Sequence, residues 1–208
     1  MRSLIYVPIL HGEADLGGVA QEVRERFVEM FGADAWARKA ELVSAMWDGL
    51  GTRLSALPLD WRRTRLYQDG LPVCDAVERI VRDLAAAGSR NHRLLIDLQA
   101  RGATLMGTED PELLVREYRR IRGLIEMARL RGPGAVMEEG NEGEALLQER
   151  DRFVARRVEE TLGPGETGLL FMGLLHRTDE LLDGRFEVWH VIHALPFGAD
   201  SWRRLRKG

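Results

Sequence analysis

The chain has 208 residues, enough for one full α/β domain and short for two. Apolar residues make up 45% and charged residues 30%, the ordinary balance of a soluble globular protein. The net charge of −3 gives no general attraction to nucleic acid or anionic lipid, and the single cysteine, Cys74, excludes an internal disulfide and a zinc ribbon.

The N-terminus carries one arginine and then a strand-like run without a cleavage-site pattern, so no signal peptide is expected. No apolar stretch approaches the roughly 18 residues of a membrane span. A cytoplasmic protein that binds neither nucleic acid nor membrane is the default reading, and a homo-oligomer is compatible with it.

Residues 4–10 form a short apolar run rich in Ile, Leu, Val and Tyr, as in a buried parallel strand. Asp15 is placed to cap the helix that follows, with Leu16, Val19, Val23, Phe27 and Met30 at helical spacing and Gly32 at its exit. A second helix begins after Asp34. Trp36, Ala40, Val43, Trp47, Leu50, Leu54 and Leu57 draw an apolar stripe along it, and Gly49 and Gly51 weaken its last part.

Residues 64–68 read as a strand with a turn at Asp69-Gly70, followed by a helix from about residue 73, interrupted at Gly88. A further helical turn or two covers Leu94 to Leu98. Residues 103–107 read as a third strand, after which Asp110 caps a helix with Pro111 at its first position. Arg131-Gly132-Pro133-Gly134 breaks the chain before a long charged helix from Glu138 to Glu160, which Gly163-Pro164-Gly165 stops. Strands at 168–173 and 186–192 follow, and Trp202 to Lys207 form a small basic C-terminal tail.

This alternation predicts a single α/β domain over residues 1–208 with a mostly parallel central sheet of about five strands flanked by helices. In such a sheet, ligands bind beyond the carboxyl ends of the strands. The first strand ends at His11 with Glu13 nearby, the second at Gln68 and Asp69, the third at Glu109 and Asp110, and the fourth at His176. Imidazole and carboxylate together suit a divalent metal such as Zn, Mn or Fe, and equally suit metal-free acid–base work. His190 and His193 fall on opposite faces of a strand and do not share a ligand. His92 lies in a polar stretch and is assigned no role. Cys74 sits at a predicted helix start with nothing else to mark it as a nucleophile.

The stretch Glu149-Arg150-Asp151-Arg152-Phe153-Val154-Ala155-Arg156, a Gly-Pro loop, and then Leu169 to His176 resembles the TraB/PrgY/Tiki family, which belongs with the erythromycin esterase and ChaN-like proteins. The shared pattern is an Arg-Asp on a helix, here Arg150-Asp151, before a strand that ends in Gly-x-x-His, here Gly173-Leu174-Leu175-His176. The family also carries an early Gly-x-x-His on its first strand, where this chain has Pro8-Ile9-Leu10-His11. Its acidic residues after inner strands correspond to Asp69 and to Glu109 or Asp110. The resemblance implies a compact α/β fold whose site is ringed by two histidines, acids and an arginine. It also implies hydrolytic or metal-binding chemistry, since relatives are metalloprotease-like, esterases or haem-binding.

The expectation is a hydrolase acting on an ester or amide, either a small molecule or a peptide. His11 and His176 act as general base and partner, or as metal ligands completed by Glu13 and Glu109. Arg150 neutralises charge on the polarised oxygen, and Asp69 and Asp110 bind substrate. Two other readings compete with it. One is a non-catalytic protein that holds a small anion or metallocofactor. The other is a regulatory partner that presents Trp36 and Trp47.

Overall fold

The computed structural model describes residues 2–131, 140–182 and 184–193. The break at Gly132-Pro133-Gly134 and the basic tail from Trp202 to Lys207 lie outside the described residues. The strands are β1 (Ser3–Ile9), β2 (Thr64–Gln68), β3 (Thr104–Met106), β4 (Thr167–Gly173) and β5 (Glu187–His190). They form one five-stranded sheet in the order β3-β2-β4-β1-β5, with every pairing parallel. The sheet is thus all-parallel.

The middle of the sheet is dry on both faces. Gly168 to Met172 on β4 are all buried, as are Leu4 to Ile9 on β1. A strand covered on both sides has no polar face, which is why these segments read as continuous apolar runs rather than alternating ones.

Going along the chain, β1 passes β4 to reach β2, and β2 leads on outward to β3. From there β3 returns past β2 to β4, and β4 passes β1 to reach β5. Right-handed crossovers in these opposite directions place helices on opposite faces. One layer holds α1 (Ala20–Phe31), α2 (Ala33–Ser55), α3 (Val77–Ala86) and α4 (Arg90–Ala100), with α2 and α3 both packed on α4. The other holds α5 (Pro111–Arg131), α6 (Gly140–Thr161) and the short α7 (Thr178–Leu181), with α6 packed on both neighbours. The neighbouring strands β2 and β4 send their onward connections in opposite directions, which opens a crevice at their carboxyl ends. α1 also packs against α5 of the other layer.

Several local features differ from the sequence expectation. The second helix runs unbroken through Gly49 and Gly51. Trp36, Val43, Trp47, Leu50 and Leu54 of its apolar stripe, joined by Met46, are buried, whereas Ala40 is exposed and Leu57 half-buried, and that burial outweighs the roughly 1 kcal/mol helical penalty of each glycine. The His193 ring lies directly on Gly49, so a Cβ there would displace that ring. Trp36 and Trp47 are 8% and 4% exposed, which removes the reading in which they form a partner surface. The helical turn expected at Leu94–Leu98 is the full helix α4, started by Ser89, whose hydroxyl accepts the His92 N–H. Asp15 caps no α-helix. It lies in a short 3₁₀ segment, Glu13–Val19, and accepts the Gly12 N–H at 2.7 Å. The fifth strand runs parallel beside β1. No helix among the described residues is long and apolar enough to cross a membrane.

Candidate functional site

The carboxyl ends of β1, β2, β3 and β4 converge on one buried polar cluster. Asp69, the first residue after β2, is at its centre. Its Oδ2 lies 3.0 Å from His11 Nε2 and 3.5 Å from His176 Nε2, and it accepts the Gly173 N–H at 2.9 Å. Its Oδ1 accepts from Arg150 Nη2 at 2.7 Å. Both oxygens of a carboxylate in a dry setting are therefore satisfied, as burial of a charge requires.

Arg150 reaches this point from α6. Its Nε and Nη2 form a bidentate pair with Glu109 at 2.6 and 2.7 Å. Glu109 is wholly buried, and its Oε1 also accepts the Gly70 N–H at 2.7 Å. The backbone holds Glu109 inward. Residues 71–73 and 108–109 continue the pairing of β2 with β3 past the strand ends, through Glu109 N to Leu71 O and Val73 N to Glu109 O. Gly107 permits this approach, since a Cβ there would lie 2.7 Å from Val73 Cα. Gly70 turns the chain with φ of +77°, a conformation in which glycine carries no steric penalty.

Asp151, next to Arg150 on α6, serves the other histidine. Its Oδ1 bonds His176 Nδ1 at 2.8 Å and accepts from the Thr178 hydroxyl at 2.6 Å, while Oδ2 accepts the Arg177 N–H at 3.0 Å. Tyr6 on β1 donates its hydroxyl to the His176 carbonyl at 3.1 Å. The segment after β4 is thereby pinned to both its neighbours. Gly173 is required here because a Cβ would lie 2.8 Å from Asp69 Oδ2 and 3.5 Å from His11 Nε2. The matching position on β1 is Ile9, because the register pairs Ile9 with Gly173 and Pro8 with Met172. The early Pro8-Ile9-Leu10-His11 run is therefore out of step by one residue with the Gly173 motif, and Pro8 does not sit at the site.

Two carboxylates, Asp69 and Glu109, share the single Arg150 guanidinium, while Asp151 faces His176, and this excess of acids shapes the titration. Burial pulls the His11 imidazole down, but the Asp69 hydrogen bond and the charges of Asp69 and Asp15 outweigh it and Arg150, leaving its pKa above the ordinary value. His176 is raised in the same way: burial opposes, Asp69 and the Asp151 hydrogen bond prevail. Burial alone would lift Asp69, yet the two histidines and Arg150 hold it well below the usual carboxylate range. Burial pushes the Glu109 carboxyl up, helped by the Asp69 charge and opposed by the Arg150 pair.

His11 is the member of the cluster open to the outside, with 32% of its side chain exposed. It borders a cavity of about 770 Å³ together with Asp69, Arg150 and His176. The Asp69 carboxylate can only accept, so His11 carries its hydrogen on Nε2 when neutral, and Nδ1 keeps a lone pair. Neither His11 Nδ1 nor Arg150 Nη1 has a hydrogen bond within the described residues.

Two expected roles are corrected. Glu13 points away to Arg24, 3.6 Å off, with 41% of its side chain exposed. Asp110 is a helix cap, its Oδ1 taking the N–H groups of Glu112 and Leu113 at 2.7 and 3.3 Å. The expected metal set of His11, Glu13, Glu109 and His176 is not assembled, because Glu109 is committed to Arg150 and Glu13 is absent from the cluster. Among the described residues no group of three or more His, Cys, Asp or Glu side chains is arranged to hold a metal ion. The strand-end reasoning missed Asp151 as a histidine partner, although its place beside Arg150 on a helix leading into β4 was visible.

A second buried cluster was also missed. Ser89 Oγ bonds both Asp15 Oδ1 and His92 Nδ1, the latter at 2.8 Å, and His92 Nδ1 lies 3.4 Å from Asp15 Oδ1. His190, at the end of β5, pairs with Asp179 at 2.7 Å. No family model matches the chain, and neither a curated protein nor a solved structure matches it.

Proposed function

We propose that this chain is a hydrolase that cleaves an ester or amide by metal-free acid–base chemistry at His11. The observation that carries the reading is the pairing of His11 Nε2 with the buried Asp69 carboxylate, which leaves Nδ1 as the free basic nitrogen of a side chain that borders the cavity. A histidine fixed by a carboxylate on one nitrogen and open on the other is the arrangement general base catalysis needs.

Neutral His11 takes a proton from water at Nδ1 as the water oxygen attacks the substrate carbonyl carbon. Asp69 holds the ring orientation and stabilises the imidazolium that forms. The unpaired Arg150 Nη1 donates to the developing oxyanion, a role for which its other nitrogens, locked on Glu109 and Asp69, hold it rigid. The imidazolium then returns its proton from Nδ1 to the leaving oxygen or nitrogen as the carbonyl bond to it breaks, giving acid and alcohol or amine. His176, held by Asp151, lies against the same Asp69 oxygen as His11 and positions that carboxylate. The resemblance to the TraB/PrgY/Tiki group supports a role for the same two histidines and arginine.

The experiment is turnover of a panel of simple esters and amides by the parent, His11→Ala and His176→Ala in the presence of a chelator. Loss of His11 is expected to lower kcat by about 10²–10⁴-fold. Equal rates in parent and His11→Ala would overturn the reading.

A further inference from the structure

The walls of the cavity differ sharply from its base. One side is the polar cluster, and most of the rest is hydrocarbon, from Leu16 and Val19 of the 3₁₀ segment, Leu114 and Ile121 of α5, Leu147 of α6, and Leu174 after β4, with Asp15, Glu117 and Arg177 the charged residues that also border it. These side chains come from the 3₁₀ segment after β1, from two helices of the other layer, and from the segment after β4. At about 770 Å³ the space is at the upper end of what drug-sized ligands occupy.

A second observation concerns the mouth. Tyr118 and Leu175 both border the cavity and are 40% and 76% exposed. Large apolar side chains left in water at the entrance of an apolar cavity mark the route of an apolar ligand.

Resting on the hydrolase reading, we propose that the substrate carries a long hydrocarbon group on its scissile carbonyl. The cleaved bond lies against His11 and Arg150, and the hydrocarbon fills the space between α5, α6 and the 3₁₀ segment. The substrate class is thus an ester or amide of a medium- or long-chain carboxylic acid. A short polar acyl group would leave this cavity empty and gain nothing from its walls.

The test is a series of p-nitrophenyl esters from acetyl to dodecanoyl, run beside calorimetric binding of n-decanol, which cannot be hydrolysed. kcat/KM is expected to climb about fourfold per added methylene until the cavity is full. Ile121→Trp, which narrows the cavity, is expected to shift the best chain length downward and weaken decanol binding. Leu175→Glu, on an exposed side chain that does not bear on folding, is expected to raise KM for the long esters. A flat chain-length profile with no decanol binding would overturn the substrate class while leaving the hydrolase standing. Decanol binding that Ile121→Trp weakens, with no ester or amide hydrolysed, would remove the hydrolase and keep the hydrocarbon site. Turnover and decanol binding both absent would end both.

Discussion

His11 and His176 come from near opposite ends of the chain, yet both imidazoles close on a single oxygen, Oδ2 of Asp69, at 3.0 and 3.5 Å. The carboxylate is the joint between them. Asp69→Asn keeps the shape and removes the charge, so the proton preference of both rings is expected to fall. Their NMR titration midpoints should drop below those of the parent. The variant also leaves Arg150 with one carboxylate fewer, and disruption of such a buried network costs about 3–5 kcal/mol. Urea unfolding measures that loss, and unchanged midpoints and stability would show that the rings do not depend on Asp69.

Stability is expected to peak on the acid side of neutrality. The folded imidazoles of His11 and His176 titrate above the ordinary 6.5, so their contribution is complete below that value and fades as pH rises through their folded pKa. Asp69 titrates below the ordinary 3.8, so its contribution is present above that value and fades as pH falls through its folded pKa. Glu109, raised above 4.5, adds stability below that value and loses it as pH rises. The histidine and Asp69 trends bracket a maximum between about 4 and 6.5, and Glu109, whose contribution is complete only below 4.5, tilts that maximum toward its acid end and adds to the decline as pH rises. Melting temperature against pH follows it, and His11→Ala is expected to flatten the alkaline limb.

Hydrolysis is expected to show the opposite slope. The base is neutral His11, so kcat/KM should rise with pH through a midpoint above 6.5. The range just above neutrality therefore favours turnover over stability. A rate independent of pH from 5 to 9, as an order-of-magnitude window around the histidine range, would exclude His11 as the base.

Much of this arrangement was legible in the chain because strand ends are local features. The apolar runs before His11, Asp69 and His176 announce buried parallel strands, and parallel strands deliver their last residues to one edge. Asp110 was legible as a cap for the same local reason, which is also why it is not a site residue. Partners chosen by tertiary packing left no such trace. Asp15, in the 3₁₀ segment after β1, meets Ser89 and His92 at the start of α4 across a separation of 74 residues from Ser89, and nothing near any of the three residues encodes that meeting. Glu13 and His11, two apart, looked like one ligand pair, but the strand ends at Ile9 and the 3₁₀ turn sends Glu13 outward. Gly49 and Gly51 looked like helix breakers because propensity is local, whereas the burial that overrides it is not.

Two glycine substitutions are expected to part company. Gly173→Ala places a Cβ 2.8 Å from Asp69 Oδ2 and against both histidines, in a network without slack. It should cost about 1–3 kcal/mol and lower kcat, since small displacements of the base are costly. Gly123→Ala, in the middle of α5 with open space around it, should instead stabilise by about 0.5–1 kcal/mol and leave turnover unaltered. Melting curves and ester hydrolysis on the same preparations separate the two.

Ser89→Ala probes the second cluster. The hydroxyl caps α4 through the His92 N–H, and it also bonds Asp15 and the His92 ring. Loss of a cap costs about 0.5–2 kcal/mol, and the stranded Asp15 carboxylate adds to it. Asp15 still keeps the Gly12 N–H, whose backbone follows directly on His11. Burial raises Asp15, but the His92, Ser89 and Gly12 hydrogen bonds together bring it below its ordinary value. Removal of one of them weakens that hold, so the Asp15 carboxyl should protonate at a higher pH, its contribution to stability above 3.8 should shrink, and the acid limb of the stability curve should become shallower. A variant that loses stability with the acid limb unchanged would confine Ser89 to its capping role.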